Sequence, residues 1–247
     1  MIDTRTFLKI PYEFKNICLI YPPSLEEVLS NKNFGIFKTA ICMSQEEIQD
    51  EYVQKKIEVE KFPTPLEYLL GIGYSDRNIE EILKEGFKFF IHEEVNFLYE
   101  AKAIIIGDME EQIKDAKKVE DLKIILESNY FDFQNLIREC LGEKPIEPPN
   151  PNENPRIAKM KAKARYRDRI KAKKGVSGGI SLETSLEALC CMGIGLTPLN
   201  IGQVSYAAIS PLMNRYQLKD KYETDIKSLM AGAKASKVHP VYWIKDE

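Results

Sequence analysis

Apolar and polar positions change period several times along this chain, and each change marks a predicted element. Over the first 22 residues Phe7, Ile10 and Tyr12, then Phe14, Ile17, Leu19 and Tyr21, alternate with polar neighbours up to Pro22-Pro23, predicting a hairpin or edge-strand pair. Helix starts follow. Ser24 with Glu27, and Ser44 with Glu47, have the spacing of capping boxes, and Thr64-Pro65-Leu66-Glu67 adds proline at a first helical position. Between the first two, Phe34, Phe37, Ile41 and Cys42 keep helical spacing and predict a core face. Ser75-Asp76 opens another helix, striped by Ile79, Ile82 and Leu83.

The period then shortens. Phe87–Ile91, Val95–Tyr99 and Ala103–Gly107 are β-branched and aromatic, parted by short polar breaks, and predict strands, with Lys123–Leu126 as one more. Ser128 or Asn129 starts a helix whose apolar residues run from Phe131 through Cys140 until Gly142 stops it. Residues 143–155, EKPIEPPNPNENP, hold five prolines and three asparagines, which suits an extended linker. The following stretch, Arg156–Lys174, has no Gly or Pro and is built for helix, until Gly175, Gly178 and Gly179 end it. Ser181 caps a helix with Leu182, Leu186, Leu189 and Cys190 on one face. Thr197-Pro198 predicts another start, periodicity resumes at Val204–Tyr216, and a last helix covers 221–231. The tail Val238–Ile244 carries the only tryptophan, Trp243, and reads as an extended segment docking its aromatic rings on the domain.

The fold class is therefore α+β, predominantly helical. A mixed α+β domain spans 1–141. A Pro-rich linker, basic helical arm and Gly-rich hinge span 142–179, and a small all-α C-terminal domain spans 180–247.

Charge sharpens this division. Arg156–Lys174 holds ten Lys/Arg and one acid, a net of +9, in a chain whose total is −3. Residues 1–155 sum to −12 and residues 175–247 to zero. An acidic domain, a basic connector and a neutral domain suit holding things together better than transforming a substrate. Taken alone, the arm is a solvated helix, with Ile157, Met160 and Ile170 too sparse for a core face and Ala158, Ala162 and Ala164 small. Pairing it with an acidic surface, its own or another copy's, is the reading that its charge favours. Lys159, Lys163, Arg167 and Lys171 share one helical face and are candidate partner contacts.

Candidate chemistry is sparse. His92 and His239 have no second ligand at metal spacing, and the five cysteines lie in apolar contexts as expected buried thiols, without a CxxC pair. Glu183 and Glu187 share a helix face with no partner base. GVSGG (175–179) and MGIGLT (192–197) match neither phosphate-loop pattern and read as helix stops. No catalytic residue, metal or cofactor is predicted, and the expectation is a non-enzyme. Residues 185–205 outline a helix–turn–helix, but Pro198, Leu199, Asn200 and Gln203 offer no cation for phosphate, so nucleic acid is a disfavoured partner. Apolar runs such as Ala103–Gly107 fall far short of the ~20 residues of a membrane span, and MIDTRTFLKIPYEF lacks a secretory signal's apolar core. The expected location is cytoplasmic.

Four stretches carry a family resemblance: NYFDFQNLIRECLGEKP (129–145), NPRIAKMKAKARYRDRIKAKK (154–174), LEALCCMGIGLTPLNIGQVSYAAI (186–209) and YETDIKSLMAGAKASKVHPVYWIKD (222–246). They resemble tail assembly chaperones of phages and prophages of Gram-positive, especially clostridial, hosts. The resemblance covers about residues 120–247. It implies a non-enzymatic protein in the cytoplasm of the bacterial host that coats the helical tape measure protein and recruits tail tube protein, itself an oligomer. A gripping surface is then expected in the C-terminal domain, around Leu196, Leu199, Ile201, Val204, Tyr206, Ile209 and Met213, unless these simply form its core. Two alternatives stay open: a tail or baseplate structural component retained in the virion, and a nucleic-acid-binding regulatory or packaging protein using the arm.

Overall fold

The computed structural model describes residues 3–108, 112, 122–148, 154–173, 181–234 and 238–244, without the side chains of 155 and 169–173. It is predominantly helical with two small antiparallel sheets. A one-turn helix α1 (Thr4–Phe7) precedes the predicted hairpin, β1 (Tyr12–Phe14) and β2 (Cys18–Ile20), in which Tyr12 faces Ile20. Its turn holds Lys15 and Asn16 at φ 48° and 58° and closes with the Ile17 N–H on the Phe14 carbonyl at 2.7 Å. Two positive φ values match the right-handed twist of the strands that such a turn connects.

Three helices begin where the capping residues predict. In α2 (Leu25–Ser30), α4 (Gln45–Gln54) and α5 (Pro65–Ser75), the cap hydroxyl of Ser24, Ser44 or Thr64 accepts from the backbone three residues on, and the glutamate there accepts in return. Between them lies α3 (Phe34–Cys42), which buries Phe34, Phe37 and Ile41 as its spacing predicts.

The predicted strand at Phe87–Ile91 is instead the end of α6 (Arg77–Ile91). Aromatic and β-branched residues there favour strand locally, but burial falls on Leu83, Gly86, Phe87, Phe90 and Ile91, which is helical spacing. The helix stops at His92, a left-handed cap with φ 59°, whose ring stacks on Tyr21 at 4.1 Å. The remaining predicted strands form a meander: β3 (Val95–Leu98), β4 (Ala103–Ile106) and β5 (Ile124–Ile125). Next, α7 (Glu127–Cys140) buries Tyr130, Phe133, Gln134 and Ile137, and the Tyr130 hydroxyl and Gln134 amide both donate to the Ile41 carbonyl. The main core joins the hairpin, α3, α5, α6, the meander and α7, with Phe37 and Phe87 fully buried.

The arm is a helix, α8 (Pro155–Lys173); Asn154 caps it by accepting from the Arg156 N–H at 2.9 Å, with Pro155 at the first helical position. Much of the Pro-rich linker, residues 149–153, and the Gly-rich hinge with Gly175, Gly178 and Gly179 lie outside the described residues. Ser181 caps α9 (Leu182–Cys191) as predicted. The expected helix start at Thr197-Pro198 is a turn instead, because the Asn200 side chain accepts from the Thr197 N–H and donates to the Gly195 carbonyl, folding the segment back on itself. Short 3-10 turns at Ile201–Gln203 and Tyr206–Ala208 follow. The two helices predicted after Val204 are one, α10 (Ile209–Met230). Pro211 sits in its first turn, where its missing N–H has no partner to lose.

The C-terminal helices form a second core with Leu189, Ile201, Ile209 and Met213, and Leu25 of α2 belongs to it. Backbone stitches the two parts: Leu25 N–H to Val204 carbonyl at 2.8 Å, and Tyr206 N–H to Pro23 carbonyl at 3.0 Å. The tail docks on α10 as predicted, with Arg215 donating to the Trp243 carbonyl at 3.0 Å and Tyr222 edge-on to Tyr242.

Gly86 supplies a test of the core. A β-carbon there would lie 2.5 Å from Cβ and Cγ of Phe37, whose ring is caged by Phe34, Phe89 and Phe90. Alanine normally strengthens a helix by ~1 kcal/mol over glycine. Here G86A should instead destabilise the protein by about 1–3 kcal/mol, the range for overpacked cores, read as a lower urea midpoint at unchanged slope. A raised midpoint would mean that Phe37 moves aside freely.

Candidate protein-interaction sites

Two places gather the predicted partner residues, and they are built differently. The first is the seat of the arm. Helix α8 packs along α4, so the solvated helix expected of the arm in isolation gives way to pairing with the chain's own acidic surface. Among its described side chains Ala158 and Ala162 are buried and Arg165 falls one turn further, so positions spaced by four and then three form one narrow face. Small side chains let the two helix backbones approach closely.

Arg165 locks this face. Its Nε donates to Asp50 Oδ1 at 2.9 Å, Nη1 to Glu46 Oε1 at 3.1 Å, and Nη2 to Gln49 Oε1 at 3.2 Å. The Asp50 side chain is only 5% exposed and that of Arg165 24%, so this pair is shielded from salt far better than a surface bridge. Lys159 adds a looser contact to Glu58 at 3.5 Å. The other predicted arm contacts face away: Lys163 and Arg167 are exposed, and the side chain of Lys171 lies outside the described residues.

Beside the seat, Tyr166, α3, α4 and α7 enclose a cleft of about 550 Å3 lined by Lys38, Asp50, Glu51, Arg138 and Glu143. Its charges are already paired, Asp50 with Arg165 and Glu51 with Lys55. Burial works against the charge of Lys38, but its bond to Glu143 at 2.5 Å outweighs that and raises its pKa; Arg138 reaches the same carboxylate at 3.3 Å. Burial pushes the Cys42 thiol in this cleft to about 12, and that of Cys18 likewise, so neither is a thiolate near neutral pH. The expectation that all five cysteines are buried holds for Cys18, Cys42 and Cys140 only: Cys190 is half-buried and Cys191 exposed. Leu189 takes the core position, and successive helix residues point about 100° apart.

The second place is the C-terminal unit. Met213 is in its core, as are Ile201 and Ile209, and Val204 packs half-buried against them. Tyr206 joins the two cores, its ring edge-on to Phe34 at 5.8 Å. Only Leu199 of the predicted gripping residues is freely presented, at 96% exposure on the turn braced by Asn200. Ile194, on the same loop, is 51% exposed. Sequence reasoning missed the seat residues Ala158, Ala162, Arg165, Glu46 and Asp50; the four-then-three spacing of two alanines and an arginine was the available signal. Among the described residues no group of three His, Cys, Asp or Glu is placed to hold a metal, and no helix is long and apolar enough to cross a membrane.

The chain matches no known family, no characterised protein and no solved structure.

R165A tests the seat. Removing charge-assisted hydrogen bonds worth about 1.5–3 kcal/mol should raise the undocked population of α8 at least tenfold. Trypsin cleavage at Lys159, Lys161 and Lys163 should accelerate by that factor, since cleavage of a transiently opened segment follows its open population. An unchanged rate would mean that other contacts hold the arm.

Proposed function

We propose that this protein is a non-enzymatic phage tail assembly chaperone that grips its helical client, the tape measure protein, through the exposed apolar loop 192–200, in the cytoplasm of the bacterial host. The observation carrying this reading is Leu199. A leucine almost wholly exposed is not unusual in a flexible loop, but this one stands on a turn closed by three bonds: Thr197 N–H to Asn200 Oδ1 at 2.7 Å, Asn200 Nδ2 to Gly195 carbonyl at 2.9 Å, and Ile201 N–H to Thr197 carbonyl at 2.9 Å. A braced apolar side chain loses little freedom on binding, so most of its burial counts toward affinity. Ile194 extends the apolar surface on the same loop, at 51% exposure. These positions suit the ridge of an amphipathic helix, which presents apolar side chains three and four residues apart.

The resemblance of residues 129–145, 154–174, 186–209 and 222–246 to tail assembly chaperones supplies the identity of the client. The buried members of the predicted gripping set, Ile201, Ile209 and Met213, hold the loop in place from beneath and do not themselves contact the client. Recruitment of tail tube protein falls to surfaces other than this loop.

Co-expression with a cognate tape measure protein tests this. The unsubstituted chain should keep the tape measure protein soluble, and L199E combined with I194E should lose most of that effect with no change in its own thermal midpoint. Equal solubilisation by both would remove the loop from the gripping surface.

A further inference from the structure

We propose that the groove between α5 and the β3–β4 turn is a binding site for a small aromatic ammonium ion, with the ligand's ring laid over Gly71 and its cation held by tyrosine rings and the Glu100 carboxylate. This goes beyond the chaperone reading and does not rest on it.

The groove has a volume of about 810 Å3, within the ~300–1,000 Å3 of small-molecule sites. One wall is a single face of α5, on which Glu67, Gly71 and Tyr74 follow at spacings of four and three. The other is the end of β3 with the turn after it, from Phe97 to Lys102. Lys102 Nζ reaches back to Glu67 Oε1 at 2.5 Å and ties the two walls together.

Gly71 points to an occupant. Glycine within a helix weakens it relative to alanine, and it suits a place where something must approach the backbone closely. Among the described residues nothing of this chain does so. A β-carbon at Gly71 would meet no heavy atom within 4 Å beyond its own helix backbone, whereas one at Gly73 would meet Leu83, Tyr99 and Phe97 at 3.5–3.8 Å. The space over Gly71 is open to a flat ring from outside the chain.

The charge of the ligand follows from the rest of the lining. Tyr74 stands 5.2 Å and 65° from Tyr99, which stands 6.3 Å and 75° from Phe97. Rings that meet at such angles keep faces free, and a ring face attracts a cation. Phe97 already holds the Lys84 ammonium at 5.8 Å, which leaves the tyrosines for a ligand, and Tyr74 is 76% exposed. Lys102 is neutralised by Glu67, but Glu100 on the exposed turn has no ion pair among the described residues. The uncompensated charge in the groove is negative.

Amide shifts of the isotope-labelled full chain test this in titrations with phenyltrimethylammonium, benzyl alcohol and phenylacetate. The ammonium should move residues 70–74 and 97–102 saturably and bind about tenfold more tightly than the other two. G71L fills the open space and favours helix, so it should abolish this binding while raising the thermal midpoint, which separates loss of the site from loss of the fold. Y74A, which removes an exposed ring, and E100Q should each weaken binding severalfold with the midpoint unchanged. No binding of the ammonium, equal or tighter binding of the alcohol or the carboxylate, shifts centred elsewhere, or undiminished binding by G71L overturns the proposal. Should G71L lower the midpoint, undiminished binding by Y74A overturns it instead.

Discussion

The arrangement of this protein turns on one guanidinium. Arg165 ties the basic arm to an aspartate that is itself nearly inaccessible, and without that tie a helix of mostly charged and alanine residues has little to hold it. Two buried methyl groups contribute only about 0.8 kcal/mol each. Lys163 and Arg167 are exposed, where ion pairs are worth little. Where the arm lies, and hence how the acidic and neutral parts of the chain are bridged, depends on a contact of a few kcal/mol.

The C-terminal unit is held in another way. Its core borrows Leu25 from α2, and its backbone bonds to Pro23 and Leu25 across the junction. Gly142, at φ 69° after α7, packs so closely on Ala207 that a β-carbon would meet it at 3.0 Å. This junction is apolar and hydrogen-bonded, and it does not depend on the Arg165 contact. The exposed loop with Leu199 therefore stands on a firm base.

Much of the fold was legible in the sequence because its signals were local. Ser24, Ser44 and Thr64 cap helices through bonds to residues three positions away, and nothing distant alters that chemistry. Phe87–Ile91 misled because β propensity describes a residue's fit to a pleated surface, whereas the caging of Phe37 by α6 decided its conformation. Leu25 reads as an ordinary first-turn residue, and its membership of the distant core depends on contacts 164 to 188 positions away in sequence. At the candidate sites, the charge of the arm foretold an acidic partner surface but not which side of the helix would meet it. Lys163 and Arg167 are left exposed because the inner face is taken by the two alanines that permit the close approach. Leu199 stood out only once the turn around Asn200 was known.

The dependence on Arg165 is most directly tested by amide hydrogen exchange of residues 156–168 in the intact chain and in its R165A variant under the same conditions. Protection of the arm should fall by at least tenfold in R165A, while protection in α6 and α7 stays constant. Arm protection that R165A leaves unchanged, or that is absent already in the unsubstituted chain, would contradict an arm held by this guanidinium.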